Sequence, residues 1–444
     1  MARLLASYRA IPPDGTIRLA KPTSNLFRAR AKTKTKGLDV SGLTGVIAVD
    51  PEARTADVAG MCTYEGLVAA TLPYGLSPLV VPQLKTITLG GAVTGLGIES
   101  ASFRNGLPHE SVLEMDILTG SGDVVTASRD LHPDLFRAFP NSYGTLGYSV
   151  RLKIELETVK PFVALKHLRF HSLPDMVAAM DRVIETGGHD GTPVDYLDGV
   201  VFTADESYLT LGFQTSTPGP VSDYTGQGIY YRSLQHADGE KHDRLTIHDY
   251  LWRWDTDWFW CSRAFGAQNP RIRRFWPRRY RRSSFYWKLV GYDQRFDIAD
   301  RIEKRNGRPP RERVVQDVEV PIGRTAEFLD WFLDNVPIEP VWLCPVRLRD
   351  DGGWPLYPIR PHHTYVNAGF WSSVPVGPAE GHTNKLIERE VSAFEGHKSL
   401  YSDAYYSPDE FDELYGGETY KTVKKTYDPD SRLLDLYAKA VQRR

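Results

Sequence analysis

Short apolar runs separated by turns fill the first 160 residues of the chain. Brief runs rich in Val, Ile and Leu are typical of strands. They predict five strands, at 45–49, 56–58, 79–81, 112–118 and 124–126. Between them, Leu67, Ala70 and Thr71 fall at helical spacing, which predicts a short helix over 63–72. This part of the chain is therefore predicted to be α+β, with many strands and few helices.

Two later stretches, at 161–220 and 313–371, repeat one order of predicted elements. Each is predicted to run strand, helix, strand and strand. The first set lies at 164–170, 173–186, 196–204 and 208–214, and the second at 314–320, 325–335, 341–347 and 364–369. Two such units would form one antiparallel sheet with helices on one face. The lengths agree while the residues do not, so the repeat is predicted only at the level of structure.

The segment between these units, at 250–289, is rich in tryptophan and arginine. It holds six of the ten tryptophans and, at 271–282, seven arginines in twelve residues. Three interpretations stay open: a partly buried helical segment, a patch that lies on a membrane surface, and a nucleic-acid interface. The net charge of −2 disfavours the third, because nucleic-acid-binding domains are usually basic.

Composition places the chain among folded globular proteins. With 444 residues, 41% hydrophobic and 25% charged, two or three domains are expected. We predict a domain at 1–160, a second at 161–398 with the tryptophan- and arginine-rich insert at 250–290, and a C-terminal segment at 399–444. That segment is expected to complete the site and pack back on the first domain, and to end in an amphipathic helix near 431–441.

The three cysteines, Cys62, Cys261 and Cys344, are widely spaced. This excludes a disulfide scaffold and a structural zinc site, and no metal is predicted. No run approaches the roughly 18 apolar residues of a transmembrane helix. The apolar core at the N-terminus is too short for a secretory signal. We therefore expect a cytoplasmic protein, with association to the inner face of the plasma membrane left open.

A glycine-rich loop at 86–102 is the sharpest local motif. Gly90, Gly91, Gly95 and Gly97 fall within eight residues. Glycine lets backbone amides approach a ligand closely and converge on an anion such as a pyrophosphate. The loop lacks the Rossmann fingerprint, since Ser100 stands where the third glycine belongs and no parallel βαβ unit follows. From the residues alone, a cofactor cradle and a set of tight bends are equally supported.

The residues around this loop resemble a known family. The stretch VPQLKTITLGGAVTGLGIES at 81–100 resembles the flavin-binding segment of FAD oxidoreductases of the vanillyl-alcohol-oxidase/PCMH superfamily, and more narrowly that of the delta-24-sterol reductases. The resemblance continues in NSYGTLG at 141–147, VVQD at 314–317, VWLCP at 341–345 and LYSDAY at 400–405. Residues 20–150 are most similar to a bacterial branch whose members reduce a mid-chain methylene fatty acyl group in the synthesis of 10-methyl (tuberculostearic-type) fatty acids.

The resemblance implies a fold and a cofactor. The implied fold is a PCMH-type FAD-binding domain of two α/β subdomains, with a substrate or cap domain whose antiparallel sheet is flanked by helices. The implied cofactor is FAD, held non-covalently because no histidine lies between Met1 and Ser102 to carry it. The residues implied to bind FAD are Thr23, Ser24, Asn25, Thr88, Leu89, Gly90, Gly91, Ala92, Thr94, Gly95, Gly97, Ile98, Glu99, Ser100, Gly144, Thr145 and Gly147.

The implied reaction is saturation of a carbon–carbon double bond in a lipid, with NADPH as the electron donor. The methylene branch of a fatty acyl group in a phospholipid would become a methyl branch. An S-adenosylmethionine-dependent methyltransferase that makes the methylene lipid is the implied partner. A sterol side-chain reductase and an alcohol or sugar oxidase of the same fold stay open. A non-catalytic flavin- or lipid-binding partner of the methyltransferase is the alternative from another class.

An isolated alkene has no carbonyl to polarise it, so hydride addition also needs a proton donor. The candidates are Glu99, His109, Tyr365 and Asp403, which lie just after the glycines or in the C-terminal half. Each has an ordinary structural interpretation as well: Glu99 could bond loop amides, His109 could be a surface or core residue, and the other two could pack. Asp317 lies in a matching segment too, but it is not among the four.

Overall fold

Two antiparallel sheets organise the protein, one built from residues 46–158 and the other from residues 162–398. No parallel pair joins the named strands in the part of the chain that is described, so a Rossmann-type βαβ unit is not seen there. The computed structural model describes residues 1–21, 27–28, 36–226, 228–296, 301 and 304–443, apart from the side chains of 294 and 295.

The first sheet contains strands β1 (Val46–Asp50), β2 (Thr55–Ala59), β3 (Leu76–Pro78), β4 (Val112–Leu118), β5 (Val124–Ser128) and β6 (Tyr148–Thr158). Its order is β1-β2-β6-β4-β5, and β3 pairs with the end of β6. The strands predicted at 45–49, 56–58, 112–118 and 124–126 are confirmed to within two residues at each end.

The strand predicted at 79–81 is wrong, because the strand in this region is β3, which ends at Pro78. Residues 79–81 are buried and irregular, and Pro82 follows them. The side-chain amide of Asn105 donates to the carbonyl oxygen of Leu79 at 2.7 Å. That carbonyl is therefore satisfied without a neighbouring strand.

The described helices of this region are α1 (Ala2–Arg9), α2 (Tyr64–Thr71), α3 (Leu89–Thr94), α4 (Ser102–Asn105) and α5 (Pro133–Ala138). The helix predicted at 63–72 is α2, which begins after Thr63 because the Thr63 hydroxyl accepts the backbone N–H of Gly66 at 3.2 Å. Before β1, the described residues contain α1 and a bridge between Leu19 and Leu38, and no further sheet. The predicted second α/β subdomain is thus not visible among them.

The second sheet contains β7 (Phe162–Phe170), β10 (Tyr196–Thr203), β11 (Glu206–Thr215), β12 (Glu240–Thr246), β13 (Arg311–Pro321), β14 (Val341–Val346), β15 (Tyr365–Pro375) and β16 (His397–Lys398). A separate hairpin pairs β8 (Gly188–His189) with β9 (Thr192–Pro193). The sheet order is β12-β7-β11-β10-β14-β15-β13-β16. The two predicted units therefore lie side by side and join at the β10–β14 pair, as the repeat of elements predicts.

Helices cover one face of the second sheet and the glycine-loop region lies against the other. The covering helices are α6 (Leu173–Thr186), α11 (Ile322–Asn335) and α12 (His382–Ala393). Met176, Phe328 and Ile387 from these helices share one core with the inward side chains of the sheet. On the opposite face, Trp342 and Tyr208 join the core of the first sheet. The space between the two sheets is where loops from both regions meet.

Described helices between β11 and β13 are α7 (Tyr230–Ser233), α8 (Ile247–Leu251), α9 (Pro270–Phe275) and α10 (Ser283–Phe296). Those near the C-terminus are α13 (Pro408–Leu414), α14 (Gly417–Tyr427) and α15 (Leu436–Ala440). The helix predicted near 431–441 is shorter than expected. It begins only after Asp435, whose side chain accepts the backbone N–H of Ala438 at 2.7 Å and caps the first turn. No described helix has the length and hydropathy that a bilayer crossing requires.

Candidate active site

A cavity of about 520 Å³ lies between the first sheet, the tryptophan-rich segment and the second sheet. The glycine loop forms part of its wall, and so do strand residues from β13, β14 and β15. The C-terminal segment contributes Tyr401, Leu434 and Lys439. Regions that are far apart in the sequence therefore build one cavity, as is usual for a ligand site at a domain interface.

The glycine loop presents bare backbone to this cavity. Gly90 and Gly91 lie in the first turn of α3, and Thr88 caps that turn by accepting the N–H of Gly91 at 3.1 Å. A Cβ on Gly90 would lie 2.5 Å from Oγ of Ser149 and 2.6 Å from the carbonyl oxygen of Gly60. Only glycine fits at position 90, because β6 and the end of β2 pack directly behind it.

The turn that follows α5 holds the glycine loop from the side. Asn141 and Tyr143 have positive φ values of 60° and 52°, and Gly144 has 75°. The Asn141 side-chain amide donates to the carbonyl oxygen of Gly95 at 2.5 Å, and the Tyr143 N–H donates to that of Thr94 at 2.6 Å. The two segments that the resemblance singles out therefore contact each other and share the cavity wall.

Cations and an unpaired hydroxyl accompany this backbone. Arg18, Lys21 and Lys439 line the cavity, and Lys21 donates to the Thr88 hydroxyl at 2.9 Å. The hydroxyl of Ser149 lines it as well and is buried without a hydrogen-bond partner in the structure. Cations and a hydroxyl beside backbone that carries no side chain suit the phosphates of a pyrophosphate. The residues present therefore fit a flavin dinucleotide.

An aromatic wall faces the same cavity. Trp258, Phe259, Trp342, Trp371 and Tyr401 all line it. The ring of Phe259 lies 4.4 Å from that of Trp371 and 5.4 Å from that of Trp342, centroid to centroid. The indole N–H of Trp371 donates to the Tyr401 hydroxyl at 3.0 Å. Trp258 and Phe259 have φ values of 46° and 57°, a strained backbone that is often found at functional sites.

One carboxyl group, that of Asp317 on β13, faces the cavity among the described residues. Asp317 pairs across the sheet with Gly369, and a Cβ at position 369 would lie 2.5 Å from Oδ1 of Asp317. The side-chain amide of Asn367 donates to the same oxygen at 3.1 Å. Burial raises the pKa of Asp317 to about 6, against the opposing effect of hydrogen bonds from Asn367 and Tyr401.

A second carboxyl lies two residues further along β13, behind Asp317. Burial and the nearby Asp317 carboxylate raise the pKa of Glu319 to about 8. The Ser399 hydroxyl donates to Oε1 of Glu319 at 3.1 Å, while Oε2 has no hydrogen-bond partner in the structure. Glu319 therefore holds a proton at neutral pH next to the carboxyl that faces the cavity.

Residues 7–128 match the family described as "FAD binding domain". The Delta(24)-sterol reductase of Rattus norvegicus is 24% identical over 411 residues, which cover 89% of this chain and 76% of the reductase. The chain is an FAD-dependent oxidoreductase. The Delta(24)-sterol reductase of Arabidopsis thaliana is likewise 24% identical, over 91% of this oxidoreductase and 76% of its own length. Cytokinin dehydrogenase 2 of Arabidopsis thaliana is 30% identical, but over only 42% of this chain and 37% of its own.

The predicted FAD-binding residues of the oxidoreductase divide into three groups. Those on the cavity wall are Thr88, Gly90, Gly91, Thr94, Gly95, Gly97, Ile98 and Gly144. Those that the structure places behind the wall are Leu89, Ala92, Glu99, Ser100, Thr145 and Gly147, because their side chains or backbone pack into the core. Thr23, Ser24 and Asn25 lie outside the described residues. The second group therefore shapes the loop from behind.

Glu99, predicted as a proton donor, lies behind the cavity wall. Its carboxylate accepts from Arg253 at 2.8 Å and from the backbone N–H of Ser100 at 3.0 Å. Arg253 also contacts Asp198, at 2.9 Å, and all three charged groups are buried. Because its carboxylate bonds Arg253 and a loop amide and does not line the cavity, this placement favours the structural interpretation of Glu99.

The other three predicted donors also lie away from the cavity. His109 is buried, its ring lies 4.5 Å from that of Trp354, and burial lowers its pKa to about 3. The hydroxyl of Tyr365 accepts the backbone N–H of Arg360 at 3.3 Å. Asp403 lies 3.6 Å from Arg443. The structure thus does not bring the four candidates together, because the side chain of each contacts different residues outside the cavity.

Sequence reasoning passed over the carboxyl that does face the cavity. Asp317 ends the VVQD motif, but its strand alternates buried and half-buried residues like any other. The available signal was the pairing of Asp317 and Glu319, two carboxyls on one face of a buried strand, which is costly unless the groups hold protons. The cations Arg18 and Lys21 carried no comparable signal, since isolated basic residues are common.

Proposed function

We propose that this oxidoreductase saturates a carbon–carbon double bond in a lipid. The proposed substrate is a mid-chain methylene fatty acyl group of a phospholipid, whose methylene branch becomes a methyl branch, and NADPH is the proposed electron donor. The observation that carries the proposal is the lone cavity carboxyl, Asp317, set against an aromatic wall. Reduction of an unactivated alkene needs a group that gives up a proton, whereas oxidation of an alcohol needs a base.

The aromatic wall suits such a substrate in two ways. Trp258, Phe259 and Trp342 offer an apolar surface to an acyl chain, and they keep water away from the reacting carbon. Protonation of the terminal methylene carbon leaves positive charge on the branched carbon. Aromatic faces stabilise such a charge by on the order of 1–2 kcal/mol each when water is excluded.

Asp317 is the proposed proton donor: its pKa of about 6 leaves a minor fraction of the carboxyl protonated at neutral pH and a larger one below pH 6. A general acid works best when its pKa lies near the working pH. Asn367 fixes Oδ1 by its hydrogen bond, and the bare Cα of Gly369 leaves room for the carboxyl beside Trp371. In the proposed reaction this proton forms the new C–H bond at the methylene carbon, and Asp317 is left as a carboxylate.

When bound and reduced, FAD supplies the hydride that completes the saturation of the branched carbon. Thr88 and Asn141 would position the glycine loop against the dinucleotide, since their hydrogen bonds to Gly91 and Gly95 fix the backbone of that loop. Arg18 and Lys439 would balance the charge of its phosphates. The protein supplies orientation and a proton, and these are the contributions that its own residues make.

A second candidate is reduction of a sterol side-chain double bond. It is favoured by the relatives named Delta(24)-sterol reductase, which align with about nine-tenths of this chain. Both reactions use the same acid and the same hydride source, and they differ in the shape of the lipid. The choice between them therefore depends on substrate and not on the chemistry of the site.

The test is the visible spectrum of the FAD-loaded protein, followed without oxygen. NADPH should bleach the flavin absorbance, and a methylene phospholipid should restore it while a methyl-branched lipid forms. Bleached flavin that ignores the methylene lipid but is reoxidised by a Δ24 sterol would move the substrate to the second candidate. Flavin that NADPH does not bleach, together with peroxide formed from an alcohol, would overturn the reductase proposal.

A further inference from the structure

The tryptophan-rich segment carries a strong excess of positive charge. Between positions 258 and 292 the sequence has no aspartate or glutamate, while it has eight arginines and one lysine. The whole chain has a net charge of −2, so the rest of the molecule is acidic in balance. The segment therefore differs in charge from its surroundings.

Three of the arginines in this segment are paired or hydrogen-bonded inside the protein. Arg273 is buried and pairs with Asp257 at 2.7 Å. Arg281 is buried and donates to backbone carbonyl oxygens. Arg282 pairs with Glu65 at 2.8 Å. These three arginines hold the segment to the molecule and are not available to a partner.

Four other arginines point outward. Arg271, Arg274, Arg278 and Arg279 are exposed, and no ion pair joins them to a carboxylate in the part of the chain that is described. They lie on α9 and on the turn that follows it. Together they form a basic surface that no carboxylate of the described residues neutralises.

Apolar side chains lie among these arginines. Phe275 is 81% exposed and Ile272 is 44% exposed, although both are large and hydrophobic. The guanidinium of Arg274 lies 5.9 Å from the ring of Phe275. We call this surface the basic apolar patch; it consists of Arg271, Ile272, Arg274, Phe275, Arg278 and Arg279.

The patch is continuous with the wall of the cavity. Behind it, Tyr280 stacks on Phe285 of α10, with ring centroids 4.6 Å apart. On the same helix, Trp287 packs on Trp258 at 5.1 Å, and Trp258 lines the cavity. One short run of chain therefore has its outer face on the surface and its inner face at the site.

We propose that the basic apolar patch docks on the surface of an anionic lipid bilayer. Arginines that flank inserted aromatic and aliphatic side chains are the combination that binds at the lipid interface. A single-stranded nucleic acid fits less well, since its bases stack on a series of flat rings and Phe275 is the one ring among the six residues of the patch. A second copy of this chain fits less well too, because a twofold contact would place the four arginines against each other.

Docking here does not depend on the reaction. That the docked bilayer also delivers the substrate rests on the proposed function, and it would make a phospholipid acyl chain a better substrate than the same chain on a soluble carrier. The patch and Trp258 of the cavity wall belong to the same tryptophan-rich segment, so a docked bilayer would lie on the side of the molecule that this segment covers.

The test is sedimentation of the FAD-loaded full chain with vesicles, without any turnover. Wild type should bind vesicles of 30% phosphatidylglycerol in phosphatidylcholine, and bind pure phosphatidylcholine far less. Replacing Arg271, Arg274, Arg278 and Arg279 by serine should lower binding by roughly 100-fold or more. Phe275→Ser alone should lower it by about tenfold.

The matched control removes four exposed arginines elsewhere: Arg3, Arg9, Arg54 and Arg313, each replaced by serine. It changes the net charge by the same amount and should retain most of the binding. Equal losses in both quadruple variants, or no binding by wild type, would overturn the proposal. So would tight binding of an oligonucleotide without vesicle binding, or a dimer that Phe275→Ser dissociates. An unchanged flavin spectrum and melting temperature in each variant separate these outcomes from misfolding.

Discussion

Two carboxylate clusters lie at strands of the second sheet, and they differ in what neutralises them. The first joins Glu99 and Asp198 to the guanidinium of Arg253, at 2.8 and 2.9 Å. The indole N–H of Trp342 donates to Asp198 at 3.3 Å. This cluster has a cation at its centre, none of its three charged groups lines the cavity, and its two ion pairs hold the end of the glycine loop to the second sheet.

The second cluster has no cation among the groups that set its acidity. Asp317 is hydrogen-bonded by the neutral side chains of Asn367 and Tyr401, and Glu319 lies beside it. Burial raises both pKa values, to about 6 for Asp317 and about 8 for Glu319, so at neutral pH a proton on Glu319 takes the place that a guanidinium holds in the first cluster. The two pairs of acidic residues thus differ in what neutralises them: an arginine that joins two parts of the fold in the first, and a proton beside the cavity in the second.

The sharpest way to break this comparison is Asp317→Asn. The amide keeps the shape of the carboxyl but cannot give up a proton, so reoxidation of the reduced flavin by the methylene lipid should slow by roughly 10²- to 10⁴-fold. Bleaching by NADPH and the affinity for FAD should stay close to wild type. Stopped-flow absorbance of the flavin, recorded for both half-reactions, measures the effect.

Asp403→Asn is the control for that experiment. Asp403 was a candidate donor from the sequence, but it lies beside Arg443 and away from the cavity. Its reoxidation rate should remain within a few-fold of wild type. If instead Asp403→Asn abolishes lipid-dependent reoxidation and Asp317→Asn does not, the assignment of the acid is reversed.

The first cluster is broken by Arg253→Met, which leaves two buried carboxylates without their cation. Loss of one partner from a buried pair costs about 3–5 kcal/mol, and the free energy of unfolding should fall by that amount. Arg282→Met removes a half-exposed pair with Glu65 and should cost less than about 1 kcal/mol. Urea titration of both variants at pH 7 compares them. Equal losses would mean that the Arg253 cluster is not a buried network.

The second sheet could be predicted from the sequence because its signal is local. The alternation along β13 and the helical spacing in α11 each depend on a dozen neighbouring residues, and the units containing them were placed correctly. The glycine loop was found for the same reason, since four glycines in eight residues form a local pattern.

The proton donor could not be found in that way. Whether Glu99 has a catalytic or a structural role depends on Arg253, which lies 154 residues away in the sequence. Similarly, Asp317 faces the cavity only because Trp258 and Tyr401, from two other segments, close the space around it. Long-range contacts of this kind decide the role of a buried carboxyl, and periodicity does not report them.

The pH dependence of flavin reoxidation tests the second cluster further, and its expected effect is smaller than that of Asp317→Asn. Asp317 donates only when protonated, and its pKa is about 6. The single-turnover rate should therefore be greatest below pH 6 and fall about tenfold for each pH unit above it. The same measurement on Asp317→Asn should give a flat profile. A wild-type rate that does not change between pH 5 and 8 would contradict the assignment.

Glu319→Gln should have the smallest effect, because the amide imitates the protonated state that Glu319 already holds at neutral pH. Its pKa is about 8, so below pH 7 the variant and the wild type carry the same charge next to Asp317. Their reoxidation rates should agree within about threefold there. Above pH 8 the wild type gains a second negative charge, which favours the protonated form of Asp317 and should flatten the fall in its rate relative to the variant. If the pH–rate profile of the variant lies a full pH unit lower than that of the wild type even near pH 6, Glu319 is ionised beside Asp317 in the wild type. The second cluster would then hold a negative charge on Glu319 at neutral pH, and the contrast between the two clusters would fail.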